Sequence, residues 1–138
     1  MTAKLYKIIK IKRIKNQKGD IIKIVNSRKK YFRGFGELYF SKVKRNKIKG
    51  WNYHKRNTCL LSVPLGKVKF FFKTNIKDKK MYKLILSENT DQILQINPKT
   101  WFAFTSKSKT STIVNFMDKI HKKEETLKHL IENKKLLK

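Results

Sequence analysis

A single cysteine, Cys59, leaves no partner for an internal disulfide and no cysteine set for a zinc site, which fits a reducing compartment. Two Pro and five Gly in 138 residues are too few for a collagen-like or low-complexity chain. Acidic residues number 9 against 36 basic ones, and none lies between Glu37 and Asp78. A paired-carboxylate mechanism or a carboxylate-rich metal site is therefore hard to assemble from the middle of the chain, and no metal or cofactor is expected. No apolar run approaches about 18 residues, so no membrane span is expected. The start, Met1-Thr2-Ala3-Lys4-Leu5-Tyr6-Lys7, has no apolar stretch behind its basic residues, so no signal peptide is expected and the location reads as cytoplasmic.

What the chain does have is positive charge, +27 at pH 7. Lys supplies 31 of the basic residues and Arg only 5, and Lys, Ile and Asn together fill 56 of the 138 positions. All three have A/T-rich codons, so an A/T-rich genome is a sufficient cause for much of the bias. A dedicated nucleic-acid binder would favour Arg, whose planar fork reads phosphates and guanine edges. Non-specific attraction to polyanions is still expected at low salt. Hydrophobic residues at 39% and aromatics at 12% are enough to close a core, and the length suits one domain over residues 1–138.

Short strands between turns dominate the pattern. Leu5 to Ile14 and Ile21 to Val25 flank the turn cluster Asn16-Gln17-Lys18-Gly19-Asp20 and read as a hairpin. Further strands are expected over Glu37 to Val43, Lys47 to Lys55, Cys59 to Val63, Lys67 to Lys73, Met81 to Leu86, Gln92 to Ile96, Trp101 to Ser106 and Ser111 to Met117. About ten strands at a spacing of roughly 8–12 residues point to an all-β sandwich or barrel. Only the end changes period. From Asp118 to Lys138, Ile120, Leu127, Leu130, Ile131 and Leu137 form one stripe, which predicts a C-terminal α-helix packed outside the barrel through Leu127, Leu130 and Ile131.

Few residues can carry catalysis. His121 and His129 fall on the solvated face of that expected helix. His54 lies in Gly50-Trp51-Asn52-Tyr53-His54-Lys55, where Asn52 and His54, two apart in a strand, share one face. Either that face is the barrel interior and the two form a polar pocket, or His54 is a partly exposed edge histidine. Tyr31, Phe32, Phe35, Tyr39 and Trp51 admit a different class of reading, a stacking platform for RNA or DNA.

Five segments in register carry a resemblance. Gly34-Phe35-Gly36-Glu37-Leu38-Tyr39-Phe40-Ser41, Ile48-Lys49-Gly50-Trp51-Asn52-Tyr53-His54-Lys55 and Val63-Pro64-Leu65-Gly66-Lys67-Val68-Lys69 come first. Ile96-Asn97-Pro98-Lys99-Thr100-Trp101-Phe102-Ala103-Phe104 and Ile113-Val114-Asn115-Phe116 follow. Together these resemble the short cupins of the dTDP-4-dehydrorhamnose 3,5-epimerase family, which run Lys-Gly-Trp-His-x-His-Lys at the second segment. The resemblance implies a jelly-roll cupin, usually dimeric, acting on a nucleotide-linked 4-keto-6-deoxyhexose in surface polysaccharide synthesis.

It also implies roles. A histidine takes protons next to the sugar's keto group, a lysine stabilises the enolate oxygen and a tyrosine donates a proton. Lys49 matches the position that contacts the nucleotide phosphate, while Tyr39, Trp101 and Asn115 are the other residues expected to bind substrate, with Asn52, His54 and Asn115 converging in the barrel. The usual base position is Asn52, whose amide cannot take a proton near neutral pH. The lysine position falls on Cys59, the tyrosine position near Asn115, and the histidine of a Trp-His-Gly-Phe motif on Phe102. His54 survives as the candidate base. Cupin sugar 3,4-ketoisomerases also carry a His-x-His pair at this place, so the motif alone leaves epimerase, ketoisomerase and a catalytically silent sugar-nucleotide binder open.

Overall fold

A computed structural model describes residues 4–131. Twelve strands are present among them: β1 (Tyr6–Lys10), β2 (Arg13–Ile14), β3 (Ile21–Ile22), β4 (Glu37–Lys44), β5 (Ile48–His54), β6 (Cys59–Leu65), β7 (Lys67–Lys73), β8 (Tyr82–Ser87), β9 (Gln92–Ile96), β10 (Trp101–Ser106), β11 (Thr110–Met117) and β12 (Thr126–Lys128). One five-stranded antiparallel sheet has the order β1-β9-β6-β11-β4, and the other has β12-β5-β10-β7-β8. From β4 to β11 each strand passes to the other sheet, except that β7 and β8 form a hairpin within one sheet, which gives the wrapping of a jelly roll. The fold is the all-β cupin barrel expected from strand spacing and motif register.

Alternation builds the core. In β7, Val68, Phe70 and Phe72 point inward and are fully buried, while Lys67 stays exposed. They meet Leu61, Val63, Leu94, Ile96, Ile113 and Met117 of the opposite sheet in one cluster. Phe71, on the outer face, is buried in a second cluster with Trp51 and Ala103. At the β6–β7 turn Gly66 has φ +89°, and a Cβ there would meet Ser111 Oγ at 2.3 Å, so the tight turn needs glycine.

Two expectations need correction. The first apolar run is not one long hairpin strand: Tyr6–Lys10 pairs with β9, and only Arg13–Ile14 pairs with Ile21–Ile22. Tyr6 stacks on Phe72 with ring centroids 4.1 Å apart, an attraction to the core that the local turn cluster cannot match.

The C-terminal α-helix is not formed among the described residues. Residues 120–131 instead run as a strap with a 3-10 turn at Lys123–Glu125, followed by β12 on the open edge of β5. The reason is backbone satisfaction: Lys55 N–H reaches Glu125 O at 2.9 Å, Trp51 N–H reaches His129 O at 2.9 Å, and His129 N–H returns to Trp51 O at 3.0 Å. Of the expected apolar stripe, Ile131 packs on the outer cluster, whereas Leu127 and Leu130 are exposed. Residues 132–138 of that expected helix lie outside the described residues.

Candidate functional site

The barrel holds a cavity of about 160 Å³ between the sheets. Tyr39 and Ser41 come from β4, Lys49, Asn52 and His54 from β5, Phe102 and Phe104 from β10, and Asn115 from β11, with His121, Thr126 and Lys128 on the strap. Five of the expected site residues, Tyr39, Lys49, Asn52, His54 and Asn115, are brought together here. Trp101 is not. It sits on the outer face of β10, with its ring 4.9 Å from Tyr53 and 6.4 Å from His129, because Phe102 and Phe104 take the inward positions of that strand.

Lys49 and Asn52 are three apart, which in a regular strand would place them on opposite faces. A bulge resolves this. Phe102 pairs with Asn52, but Ala103 pairs with Gly50, so Trp51 is the extra residue and turns into the outer cluster. Gly50 makes the bulge possible: its φ is +126°, and a Cβ would stand 2.8 Å from Phe102 O and Ala103 Cα. Lys49 then lines the cavity and donates from Nζ to Ser41 Oγ at 2.9 Å.

His54 is the centre of the buried polar network. Its Nδ1 stands 3.1 Å from Glu125 Oε2 and 3.2 Å from Thr126 Oγ1, while Nε2 makes no hydrogen bond among the described residues. Glu125 is buried, and its Oε1 accepts the backbone N–H groups of Arg56 at 2.7 Å and Asn57 at 2.9 Å. Burial pushes the His54 pKa down, and the hydrogen bond that Glu125 accepts from it only partly opposes this. Burial pushes Glu125 up, but the Arg56 and Asn57 N–H groups and His54 outweigh it and hold the carboxyl below its ordinary value. The result at neutral pH is a neutral imidazole whose Nδ1 side is fixed by a carboxylate.

Tyr39 and Asn115 hold each other on the opposite sheet. Asn115 Nδ2 donates to Tyr39 Oη at 2.8 Å, and burial raises the Tyr39 pKa, so the phenol keeps its proton. Cys59 is fully buried, with its thiol pushed up to about 12 by burial, which leaves no reactive thiolate. No group of three or more His, Cys, Asp or Glu that could hold a metal occurs among the described residues. No helix among them is long and apolar enough to cross a membrane.

Glu125 and His121 belong to this site, though both were expected on a helix. His121 lies with its ring 5.9 Å from that of His54, edge-on, and its Nε2 is 3.1 Å from Thr126 Oγ1. No local signal separates Glu125 from its exposed neighbour Glu124; the pairing of the strap with β5 does. The aromatics proposed as a stacking row do not form one. Trp51 is buried, Tyr39 lines the cavity, Tyr31 donates to Ile24 O at 2.7 Å, and Phe32 and Phe35 pack on Phe116.

The family described as FdtA: WxcM-like, C-terminal matches residues 4–138. A search of curated protein sequences finds no significant match. Similar solved structures include a dTDP sugar isomerase from Desulfovibrio desulfuricans, with TM-score 0.84 and 22% identity over 92% of this chain and 85% of that one. A histidine-to-asparagine mutant of the 3,4-ketoisomerase QdtA from Thermoanaerobacterium thermosaccharolyticum, in complex with TDP-4-keto-6-deoxyglucose, has TM-score 0.76 and 20% identity over 96% and 90%. A dTDP-6-deoxy-D-glucose-3,5-epimerase, RmlC, from Legionella pneumophila, in complex with dTDP-4-keto-L-rhamnose, has TM-score 0.79 and 17% identity over 96% and 76%.

Proposed function

Because the chain belongs to the WxcM-like, C-terminal family, we propose that it is a nucleotide-sugar isomerase that moves the keto group of a TDP- or UDP-linked 4-keto-6-deoxyhexose, with His54 as base. The observation that carries this reading is His54 on the cavity wall, backed by the buried Glu125, with Nε2 left unbonded among the described residues.

A proton next to a carbonyl is weakly acidic, so its removal needs a neutral base and a donor to the oxygen acting together. Glu125 accepts Nδ1–H, which leaves the lone pair of His54 on Nε2. His54 takes the proton from C3 as Tyr39 gives its proton to the C4 oxygen, forming an enediol. His54 then returns its proton to C4 and Tyr39 regains one from the C3 oxygen, giving a 3-keto sugar with no external oxidant or reductant. One base on one face suffices for this shift between neighbouring carbons. Epimerisation at two carbons would need a base at Asn52, where there is an amide.

A cavity of about 160 Å³ is smaller than the roughly 300 Å³ and above that encloses a drug-sized ligand, so it suits the sugar ring, with the nucleotide lying along the mouth. Lys49 at the cavity wall serves the phosphates. Among the solved relatives, the QdtA mutant with asparagine in place of a histidine is in complex with TDP-4-keto-6-deoxyglucose, so such an exchange is compatible with bound sugar nucleotide in this fold. The assembly we propose is a cytoplasmic homodimer working in surface polysaccharide synthesis. The exposed Leu38 and Phe40 on the edge strand β4 supply apolar surface for that dimer.

A catalytically silent binder is the second reading, favoured by Asn52, Cys59 and Phe102 at three positions where the epimerases carry reactive groups. Incubation with TDP-4-keto-6-deoxyglucose, followed by NMR of the product, separates the readings. A 3-keto product supports the isomerase, unchanged but bound sugar supports the silent binder, and absence of binding overturns both.

A further inference from the structure

The strap contributes more to the cavity than Glu125. In the β12–β5 pair Thr126 stands opposite His54 and Lys128 stands opposite Asn52. Directly opposed residues have Cβ atoms about 5 Å apart, so each strap residue extends the wall beside its partner. Both Thr126 and Lys128 line the cavity. Lys49 is tied to Ser41, whereas the Lys128 side chain makes no hydrogen bond or ion pair among the described residues. Among the described residues no carboxylate lines the cavity, since Glu125 lies behind His54 and is occupied there. The cavity therefore has two lysines towards the Gly50 end of β5 and two histidines, His54 and His121, at the other.

We propose that Lys128 is a second phosphate-binding residue, acting with Lys49 to hold the diphosphate of the nucleotide sugar while the sugar reaches His54. This rests on the sugar-nucleotide reading above. A diphosphate carries about two negative charges, and lysines reaching it from two different strands bracket it in a site with no competing carboxylate among the described residues. The strap is then part of the ligand site as well as cover for the β5 edge.

The test is titration calorimetry with TDP and, separately, with uncharged thymidine, at low and high salt. Wild type, Lys49→Ala, Lys128→Ala, Lys128→Arg and Lys123→Ala, the last an exposed strap lysine outside the cavity lining, are compared. Lys128→Ala is expected to weaken TDP binding about tenfold at low salt, with a smaller loss at high salt, as for one charge-assisted contact. Lys128→Arg restores most of the affinity, Lys123→Ala matches wild type, and thymidine binding is unaffected by any of them. Lys128→Ala binding TDP as tightly as wild type, while Lys49→Ala weakens it, overturns the assignment of Lys128 alone. An equal loss for thymidine also overturns it, because the effect would then come from the wall's shape rather than its charge. Wild type that does not bind TDP at all overturns the sugar-nucleotide reading itself.

Discussion

His54 Nδ1 stands 3.1 Å from Glu125 Oε2, and the two side chains are 6% and 3% exposed. In the proposed mechanism a carboxylate in that place fixes the ring, selects which nitrogen is the base and stabilises the imidazolium that forms on proton uptake. Glu125→Gln keeps an acceptor for the Arg56 and Asn57 N–H groups but removes the charge. Turnover is expected to fall about 10²-fold, within the range of a general base's contribution. The acid limb of the pH–rate profile should move to lower pH, because Glu125 raises the His54 pKa. A profile identical to wild type would show that the pair does not set the base.

Stability should depend on pH through the same pair. Burial holds His54 below its ordinary 6.5, so folding favours the neutral ring. The stability tied to this is complete above 6.5 and is lost as pH falls through the folded value. Glu125, held below its ordinary 4.5, acts in the same direction at lower pH, its contribution being present above 4.5 and lost as its folded pKa is passed. The melting temperature is expected to fall between pH 7 and pH 5, and His54→Gln should flatten that fall. Thermal melts of the two proteins across this range check it, and parallel curves would rule out His54 as the source.

Much of this was legible in the chain. The turn clusters and alternating Val68, Phe70 and Phe72 located the strands, and the Gly34 to Ser41 and Ile48 to Lys55 motifs carried the family. Asn52 and His54 share the cavity face, as strand geometry requires. The strap was not legible, because its choice between helix and strand depends on the free edge of β5, a tertiary fact that local periodicity does not contain. Glu125, His121 and Lys128 were lost with it. Trp101 was misplaced for a different reason: a motif aligns positions along the chain but does not say which side of β10 faces in.

Gly50 tests the bulge that brings Lys49 and Asn52 to one face. Gly50→Ala must place a Cβ 2.8 Å from Phe102 O at a positive φ, so we expect a loss of about 2–4 kcal/mol in urea unfolding. Nucleotide-sugar affinity should fall as well, since the bulge positions Lys49. A loss below about 0.5 kcal/mol would mean that β5 relaxes without the bulge.

Asn52→His tests the proposal that Asn52 stands at the base position of the epimerases, and leaves Lys49 and His54 in place. Binding of TDP-4-keto-6-deoxyglucose, read by calorimetry, is expected to stay within about threefold of wild type, a change of well under 1 kcal/mol. Solvent deuterium should then appear at a ring carbon that wild type leaves untouched. Loss of binding would show that Asn52 is itself a substrate contact.

The most direct measurement follows deuterium from solvent into C3 and C4 of TDP-4-keto-6-deoxyglucose by NMR, for wild type and His54→Gln side by side, with binding of each confirmed by calorimetry. The account predicts exchange and keto migration with wild type and none above the uncatalysed rate with His54→Gln, although both bind the nucleotide sugar. Equal exchange by the two proteins, or bound sugar that wild type leaves unexchanged, would contradict it.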